Sequence, residues 1–555
     1  MTPYAPIATL PTHSVENQVP ELPAFDLYTA DVPLREAIQR EGAGWAEDRL
    51  VALGTEIGTP EMFHVGHLAN KHAPELHTFD RFGYRIDEVE FHPSYHQLMD
   101  LAARHELPTL PWKERKPGAN VARTAMMHLL TQVEAGVLCP VSMTYAVMPA
   151  LMAQPNVAEV WAPRILAGEY DPRLLPPEQK RGVMFGMAMT EKQGGSDVRA
   201  NSTVARPLAD GGPGGEYLLT GHKWFCSAPM SDAFLTLANT ERGLSCFLVP
   251  RFRPDGTRNT IFVQRLKNKL GNRSNASSEI EYADAWAQMI GEEGKGVRTI
   301  VAMVHHTRLD AGCAPVGMMR QALTRAIHHV RHRKAFGKLL IDQPLMRNVL
   351  ADIALDLEAC TAMAFRIARS FDEAPGDESQ AQFSRLATAV NKYWTNKRCP
   401  QLVYECLECH GGAGYIEESV MPRLFRESPL NSIWEGSGNV ICLDVLRAIH
   451  RDPGCFEVFA AEVEDGAGGD ADILAKLGEV KGMLADPASL EPRARRFTED
   501  LALLLQASLL RKHGPQPIAD AFIQARLRAS NGVAYGTLPA GVDQDLLIER
   551  ATPPA

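Results

Sequence analysis

Excess positive charge, membrane-length apolar runs and nucleotide-binding glycine loops are all missing from this chain of 555 residues. Its 57 Lys and Arg face 67 Asp and Glu, a formal net charge of −10, so no global field holds nucleic acid or an anionic membrane. A polyanion would need a local patch. No uncharged apolar run is long enough to span a bilayer, so no membrane association is expected. No strand pattern leads into G-x-G-x-x-G, which leaves a Rossmann cofactor site and a doubly wound sheet unsupported. The first residues have neither a basic n-region nor an apolar h-region and read as an extended, proline-containing arm rather than a signal peptide. The expected compartment is the cytoplasm.

Cysteine is sparse and scattered, with ten residues that include Cys139, Cys246, Cys313 and Cys360 in apolar contexts. In a reducing compartment these read as buried thiols. Cys406-Leu-Glu-Cys409-His410 matches the haem c attachment pattern, but covalent haem attachment needs export and no export signal is visible. A zinc site would want a second ligand pair, and only Cys399 is near. No metal is expected.

What is present has a clear order. The length implies roughly two to four domains. Residues from about 35 to 180 read mainly as helix, with Ala122 to Ala135 dense in good helix formers. From about 183 to 290 short apolar stretches alternate with turns: Tyr217 to Thr220, Phe234 to Leu237, Leu244 to Val249 and Glu279 to Tyr282 are strand candidates of a small β-barrel or sandwich. Helical periodicity then returns, and Leu345, Val349, Ile353 and Leu357 form an apolar stripe suited to a bundle. Glu464 to Asp472 reads as a linker or exposed loop, followed by amphipathic helices over Ile473 to Leu484 and Phe497 to Leu510. The expected fold is therefore α+β and multidomain: an arm and helical domain over 1–182, a β domain over 183–292, a four-helix bundle over 293–452 and an extra helical domain over 453–555.

Three segments carry possible chemistry. Met189-Thr-Glu-Lys-Gln-Gly-Gly-Ser-Asp197 sets Thr190 and Ser196 beside glycines that permit close backbone approach to a ligand, although a polar surface loop has the same composition. Gly221-His-Lys-Trp-Phe-Cys-Ser227 puts Trp224 in a strand, as core or as the wall of a planar cofactor. Asn431-Ser-Ile-Trp-Glu-Gly-Ser-Gly-Asn439 places Glu435 between an indole and a glycine turn. A carboxylate in apolar surroundings has the raised proton affinity of a general base, whereas a solvated loop Glu does not.

In this order the segments resemble the acyl-CoA dehydrogenase superfamily. Residues 189 to 197 match its M-T-E-x-x-x-G-S-D hallmark, Lys269-Leu-Gly271 its K-L-G segment, Arg333-Lys-Ala-Phe336-Gly337 its R-x-x-F-G, His410-Gly-Gly-Ala-Gly414 its glycine turn and Trp434-Glu-Gly its catalytic motif. Glu191 to Ser196, Asn272 to Ser277 and Ile433 to Asn439, with the C-terminal extension, are similar to the AidB-like branch of flavoproteins of the response to DNA alkylation. The resemblance implies FAD, an acyl-CoA thioester substrate, Glu435 as base and a homotetramer. It assigns the cofactor to Met189, Thr190, Gly195, Ser196, Ser227, Trp434, Gly436, Ser437, Gly438 and Asn439, with Trp224 walling the flavin and Arg333 and Phe336 reaching the FAD of a neighbouring subunit. Where the family commonly carries a Thr two residues after the strand Trp, this chain has Cys226, a poor donor, followed by the hydroxyl of Ser227.

The branch also implies an alternative function: association with double-stranded DNA, protecting it from alkylation, with a weak or vestigial dehydrogenase site. From 455 onward about fifteen acidic residues stand against about ten basic ones. A DNA patch would be assembled from Arg493, Arg495, Arg496, Arg511, Lys512, Arg526 and Arg528, which would otherwise be a solvated helix face.

Overall fold

The computed structural model describes residues 4–528 and 532–553. The arm crosses the surface without regular structure until Val32, and Asn17 pins it to the bundle by exchanging hydrogen bonds with the Lys334 carbonyl (2.9 Å) and amide (2.8 Å). The helices that follow surround one, Ala119–Thr131, whose every residue is buried. Its Arg123 donates to Asp310 of the long helix Gly296–His332 through both terminal nitrogens, at 2.5 and 2.9 Å, and to the Leu107 carbonyl. This paired, hydrogen-bonded charge is the form in which a buried guanidinium is tolerated. One segment read as helical contains a hairpin instead, β1 (Glu75–Phe79) and β2 (Arg85–Glu90).

Seven strands form the middle unit: β3 (Phe185–Ala188), β4 (Val204–Pro207), β5 (Glu216–Ser227), β6 (Ala233–Thr240), β7 (Gly243–Pro250), β8 (Ile261–Leu266) and β9 (Ser277–Ile290). The order β3-β6-β4-β5-β9-β7, with β6 also paired to β7, closes a small barrel. Tyr217, Leu219, Cys226, Phe234, Phe247, Ile280 and Tyr282 fill it. β5 carries a bulge: Lys223 pairs with Ile280 and Cys226 with Ser278, so one extra residue lies between them on β5. A bulge re-aims the side chains at its site.

Helices Gly296–His332, Pro344–Glu373, Glu378–Cys409 and Gly438–Arg451 build the bundle. The expected linker at Glu464 is corrected. Helix Gly454–Ala467 runs through the first part of it, burying Phe456, Phe459 and Val463 at helical spacing, and stops at the left-handed Gly468. The glycines terminate a helix; they do not form a tether. The C-terminal helices share one continuous apolar core with the bundle and the N-terminal helices, from Leu34 through Phe365 to Phe497 and Phe522. Arg526 reinforces this by donating to Asp356 of the bundle at 2.9 Å and pairing with Asp352.

Candidate active site

A cavity of about 560 Å³ opens where the N-terminal helices, the barrel and the bundle meet. Apolar side chains such as Met127, Leu138, Met143, Ile300 and Val304 line most of it. Its polar lining includes Thr190, Ser196, Ser227, Lys269, Asn272, Arg308 and Glu435.

The loop bearing Thr190 and Ser196 is anchored by Glu191, which is fully buried. Its carboxylate accepts from Lys223 Nζ (2.9 Å), Thr203 Oγ1 (2.6 Å), Ser202 Oγ (2.8 Å) and the amides of Ser202 (2.7 Å) and Thr203 (3.1 Å). Burial works to raise its proton affinity, but these donors overcome it and hold the group well below the usual carboxylate range. Glu191 therefore builds the loop, leaving Thr190 and Ser196 to face the cavity. A Cβ at Gly195 would lie 2.4 Å from Thr190 Oγ1, so a larger residue there would displace that hydroxyl.

The β5 bulge changes one sequence assignment. Trp224 does not line the cavity: it packs beneath Lys267, whose Nζ lies 3.3 Å from the ring centroid, while its amide donates to the Thr190 carbonyl at 2.7 Å. Phe225, 47% exposed, lines the cavity in its place, together with Ser227. Cys226 points into the barrel core, so the hydroxyl available on this face is that of Ser227. Sequence alone marked the indole as the larger aromatic; the extra bulge residue decides which ring faces the cavity.

Glu435 also lines the cavity, with its expected neighbours Trp434, Gly436 and Ser437. Its backbone is left-handed, φ +58°, and that of Gly436 is +104°. A non-glycine residue in this region is uncommon and requires support from its surroundings. Arg308 donates through Nε to the Glu435 carbonyl at 3.0 Å and is itself held by Asp444 at 2.8 Å. Lys392 donates to the Gly436 carbonyl. The carboxylate oxygen Oε2 is buried without a hydrogen-bond partner. Burial raises the proton affinity of Glu435, opposed by Arg308, the Thr307 hydroxyl and Lys392. Nearby, burial pushes Lys269 down to about 8 and Glu427 up to about 7, the latter while accepting from Asn272 Nδ2 at 2.7 Å.

Gly438 and Asn439 do not line the cavity. They begin the next helix, and the Asn439 carboxamide accepts from Arg495 Nε at 2.7 Å. Arg333 and Phe336 lie away from this cavity at the end of the long helix, with Phe336 99% exposed. Cys406 and Cys409 are buried in the last helical turn before the glycine loop, where His410 Nδ1 contacts the Cys406 carbonyl at 2.7 Å. Sequence reading missed Phe225, Thr307, Arg308 and Lys392. Arg308 stands among His305, His306 and Asp310, and Lys392 between Asn391 and Lys397, so neither is set apart from its own helix, and nothing in the sequence told which loop each would meet.

The proposed DNA patch is largely paired within the chain. Arg496 bridges Asp500, Arg511 bridges Asp470 and Asp520, Lys512 bridges Asp465, Arg526 bridges Asp352 and Asp356, and Arg528 bridges Asp472. Arg493 donates to Ser489.

Three family models match in order: "Adaptive response protein AidB N-terminal domain" over 17–172, "Acyl-CoA dehydrogenase, middle domain" over 186–285 and "Acyl-CoA dehydrogenase, C-terminal domain" over 294–450. The chain is 46% identical over 543 residues, 98% of each chain, to the putative acyl-CoA dehydrogenase AidB of Escherichia coli K12. It is 31% identical to acyl-CoA dehydrogenase family member 11 of Caenorhabditis elegans, over 73% of this chain and 67% of that one. The crystal structure of C. elegans ACDH-11 in complex with C11-CoA superposes with a TM-score of 0.84 at 26% identity, covering 94% of this chain and 93% of that chain. The solved structure of Bd2924 in its apo form gives 0.82 at 28% identity, covering 90% of this chain and 100% of that chain. The hydroxyls, glycine and aromatic ring around the cavity fit the flavin of that family, and the chain therefore belongs to the acyl-CoA dehydrogenase family, in its AidB-like branch, as an oxidoreductase with FAD as its cofactor.

Proposed function

We propose that this protein desaturates an acyl-CoA thioester between its α and β carbons, with Glu435 as the base. The observation that carries the reading is the Glu435 carboxylate, held on the wall of a mainly apolar cavity with Oε2 buried and unpartnered. Such a group gains by taking a proton, which suits it to remove the weakly acidic α-proton. Bound FAD supplies the acceptor for the β-hydrogen, which leaves as hydride as the C=C bond forms.

The chain's own residues do the rest. Thr190, Ser196 and Ser227 offer hydroxyls to the polar edge of the flavin, and Phe225 offers a ring face. Among the described residues no backbone hydrogen bond uses the Glu435 N–H, so it is free to donate to the thioester oxygen, where negative charge builds as the proton leaves. The apolar lining of Met127, Leu138 and Met143 excludes water and takes an acyl chain. The C11-CoA bound by the C. elegans relative supports a chain of medium length. The exposed Phe336 supports a subunit contact and, with the family resemblance at Arg333, a homotetramer. The free state of all ten cysteines supports the cytoplasm. None of the helices among the described residues is long and apolar enough to cross a membrane.

Protection of DNA from alkylation is the weaker reading, because five of the seven C-terminal cations that would meet phosphates are already engaged with carboxylates of the same chain. The deciding experiment is Glu435→Gln. The purified variant should hold FAD as the parent does while anaerobic flavin reduction by an active acyl-CoA falls by about 100-fold or more. Reduction at the parental rate would remove Glu435 from the mechanism.

A further inference from the structure

We infer that Lys392 is a positioning residue for the base: its ammonium holds the Gly436 carbonyl, fixes the left-handed turn that presents Glu435, and keeps a positive charge beside the carboxylate. The inference rests on the reading of Glu435 as base.

Glu435 and Gly436 are consecutive left-handed residues, at φ +58° and +104°. The first has a Cβ and does not adopt this conformation unaided. Two cations from two helices each take one carbonyl of the turn. Arg308, from Gly296–His332, takes that of Glu435; Lys392, from Glu378–Cys409, takes that of Gly436. Together they fix the peptide planes on the C-terminal side of the base.

The two cations differ in how they are held. Arg308 has Asp444 as counter-ion, and Asp444 also receives Arg385 at 2.9 Å. Lys392 is 1% exposed and, among the described residues, makes no ion pair. An ammonium buried without a carboxylate partner is costly, and an apolar side chain would fill the same place in the bundle without that cost. What the ammonium adds at this position is a donor to the turn and a positive charge near Glu435.

The groups that act on Lys392 are Glu435 from the turn, Arg308 from the long helix and Lys397 from its own helix, with Asp444 behind Arg308. Burial pushes its proton affinity down to about 7; Glu435 opposes the shift, and Arg308 and Lys397 add to it. The charge on Lys392 is therefore lost as pH rises through neutrality. In return, Lys392 favours the ionised form of Glu435.

The test uses holoprotein of the parent, Lys392→Met and Lys392→Gln, with Glu435→Gln as control. An acyl-CoA that reduces the parent flavin is mixed anaerobically from about pH 5 to about pH 9, which spans the acid limb of a carboxylate base. Hydrogen exchange is followed over residues 433–439. Lys392→Met should retain FAD, reduce it about 100-fold more slowly, as expected when a catalytic group is misplaced by about 1 Å, and exchange faster in this segment. Its acid-limb midpoint should move up, because the charge favouring the Glu435 carboxylate is gone. Lys392→Gln keeps a donor for the Gly436 carbonyl and lacks the charge, so it should show the midpoint shift with smaller losses in rate and protection. If Lys392→Met does not fold, the midpoint of Lys392→Gln decides. Parental rate, midpoint and exchange in a Lys392 variant, with Glu435→Gln inactive, would overturn the inference. A Glu435→Gln protein that reduces flavin normally would instead remove the reading of the base, and hydrogen exchange would still decide whether Lys392 holds the turn.

Discussion

Replacing Phe225 with Ala should weaken FAD binding, and replacing its neighbour Trp224 should not. Phe225 lines the cavity and is 47% exposed. A fully covered Phe buries about 200 Å², so a flavin ring laid against this one has about 90 Å² left to cover. At about 25 cal/mol per Å² that contact contributes about 2 kcal/mol, and its loss raises the FAD dissociation constant by about 30-fold. Trp224 lies beneath Lys267 instead, so Trp224→Ala should cost fold stability, at least the about 0.5–1 kcal/mol of the lost cation–π contact, and leave FAD affinity unchanged. The assay is titration of flavin-stripped protein with FAD, followed by flavin fluorescence, alongside urea unfolding of each variant. The reasoning fails if Trp224→Ala loses the affinity and Phe225→Ala keeps it. That outcome would mean the bulge does not set the register of β5 as the structure has it.

Other consequences can be measured separately. Burial raises the proton affinity of Glu435, and the base must be ionised to act, so flavin reduction should increase with pH through a midpoint above the ordinary carboxylate range; a stopped-flow series with its midpoint at or below about pH 4.5 would contradict this. Glu191→Ala strands the buried Lys223 and should cost about 3–5 kcal/mol, read from urea unfolding; a loss under about 1 kcal/mol would show that Glu191 does not anchor the loop. Because most of the C-terminal cations are paired with carboxylates within the chain, duplex DNA should bind no tighter than the roughly 10⁻⁴ to 10⁻⁶ M usual for non-specific contacts at physiological salt, and a salt titration showing nanomolar affinity would refute that.

The order of helices, barrel and bundle was legible in the sequence because it follows from local patterning: short apolar runs between turns, such as Phe234 to Leu237, for strands, and four-residue spacing from Leu345 to Leu357 for a helix. The site loops were legible for a related reason. Gly195, Gly436 and the small hydroxyl residues near them are constrained by backbone shape and close approach, and such constraints appear as short motifs. Glycine was a poorer guide at Gly468, where it ends a helix, because the same residue serves both tethers and caps. Tertiary structure alone decided the rest. The choice of Phe225 over Trp224 depends on a bulge defined by pairing with β9, more than fifty residues away in the chain. The roles of Arg308 and Lys392 depend on the 435–436 turn reaching two helices far from it in sequence. Whether Arg511 or Arg526 is free for a partner depends on which carboxylates the fold places beside it. Local sequence encodes the conformation of a segment through its own sterics and periodicity; which segment a charged side chain meets is set only when distant elements pack.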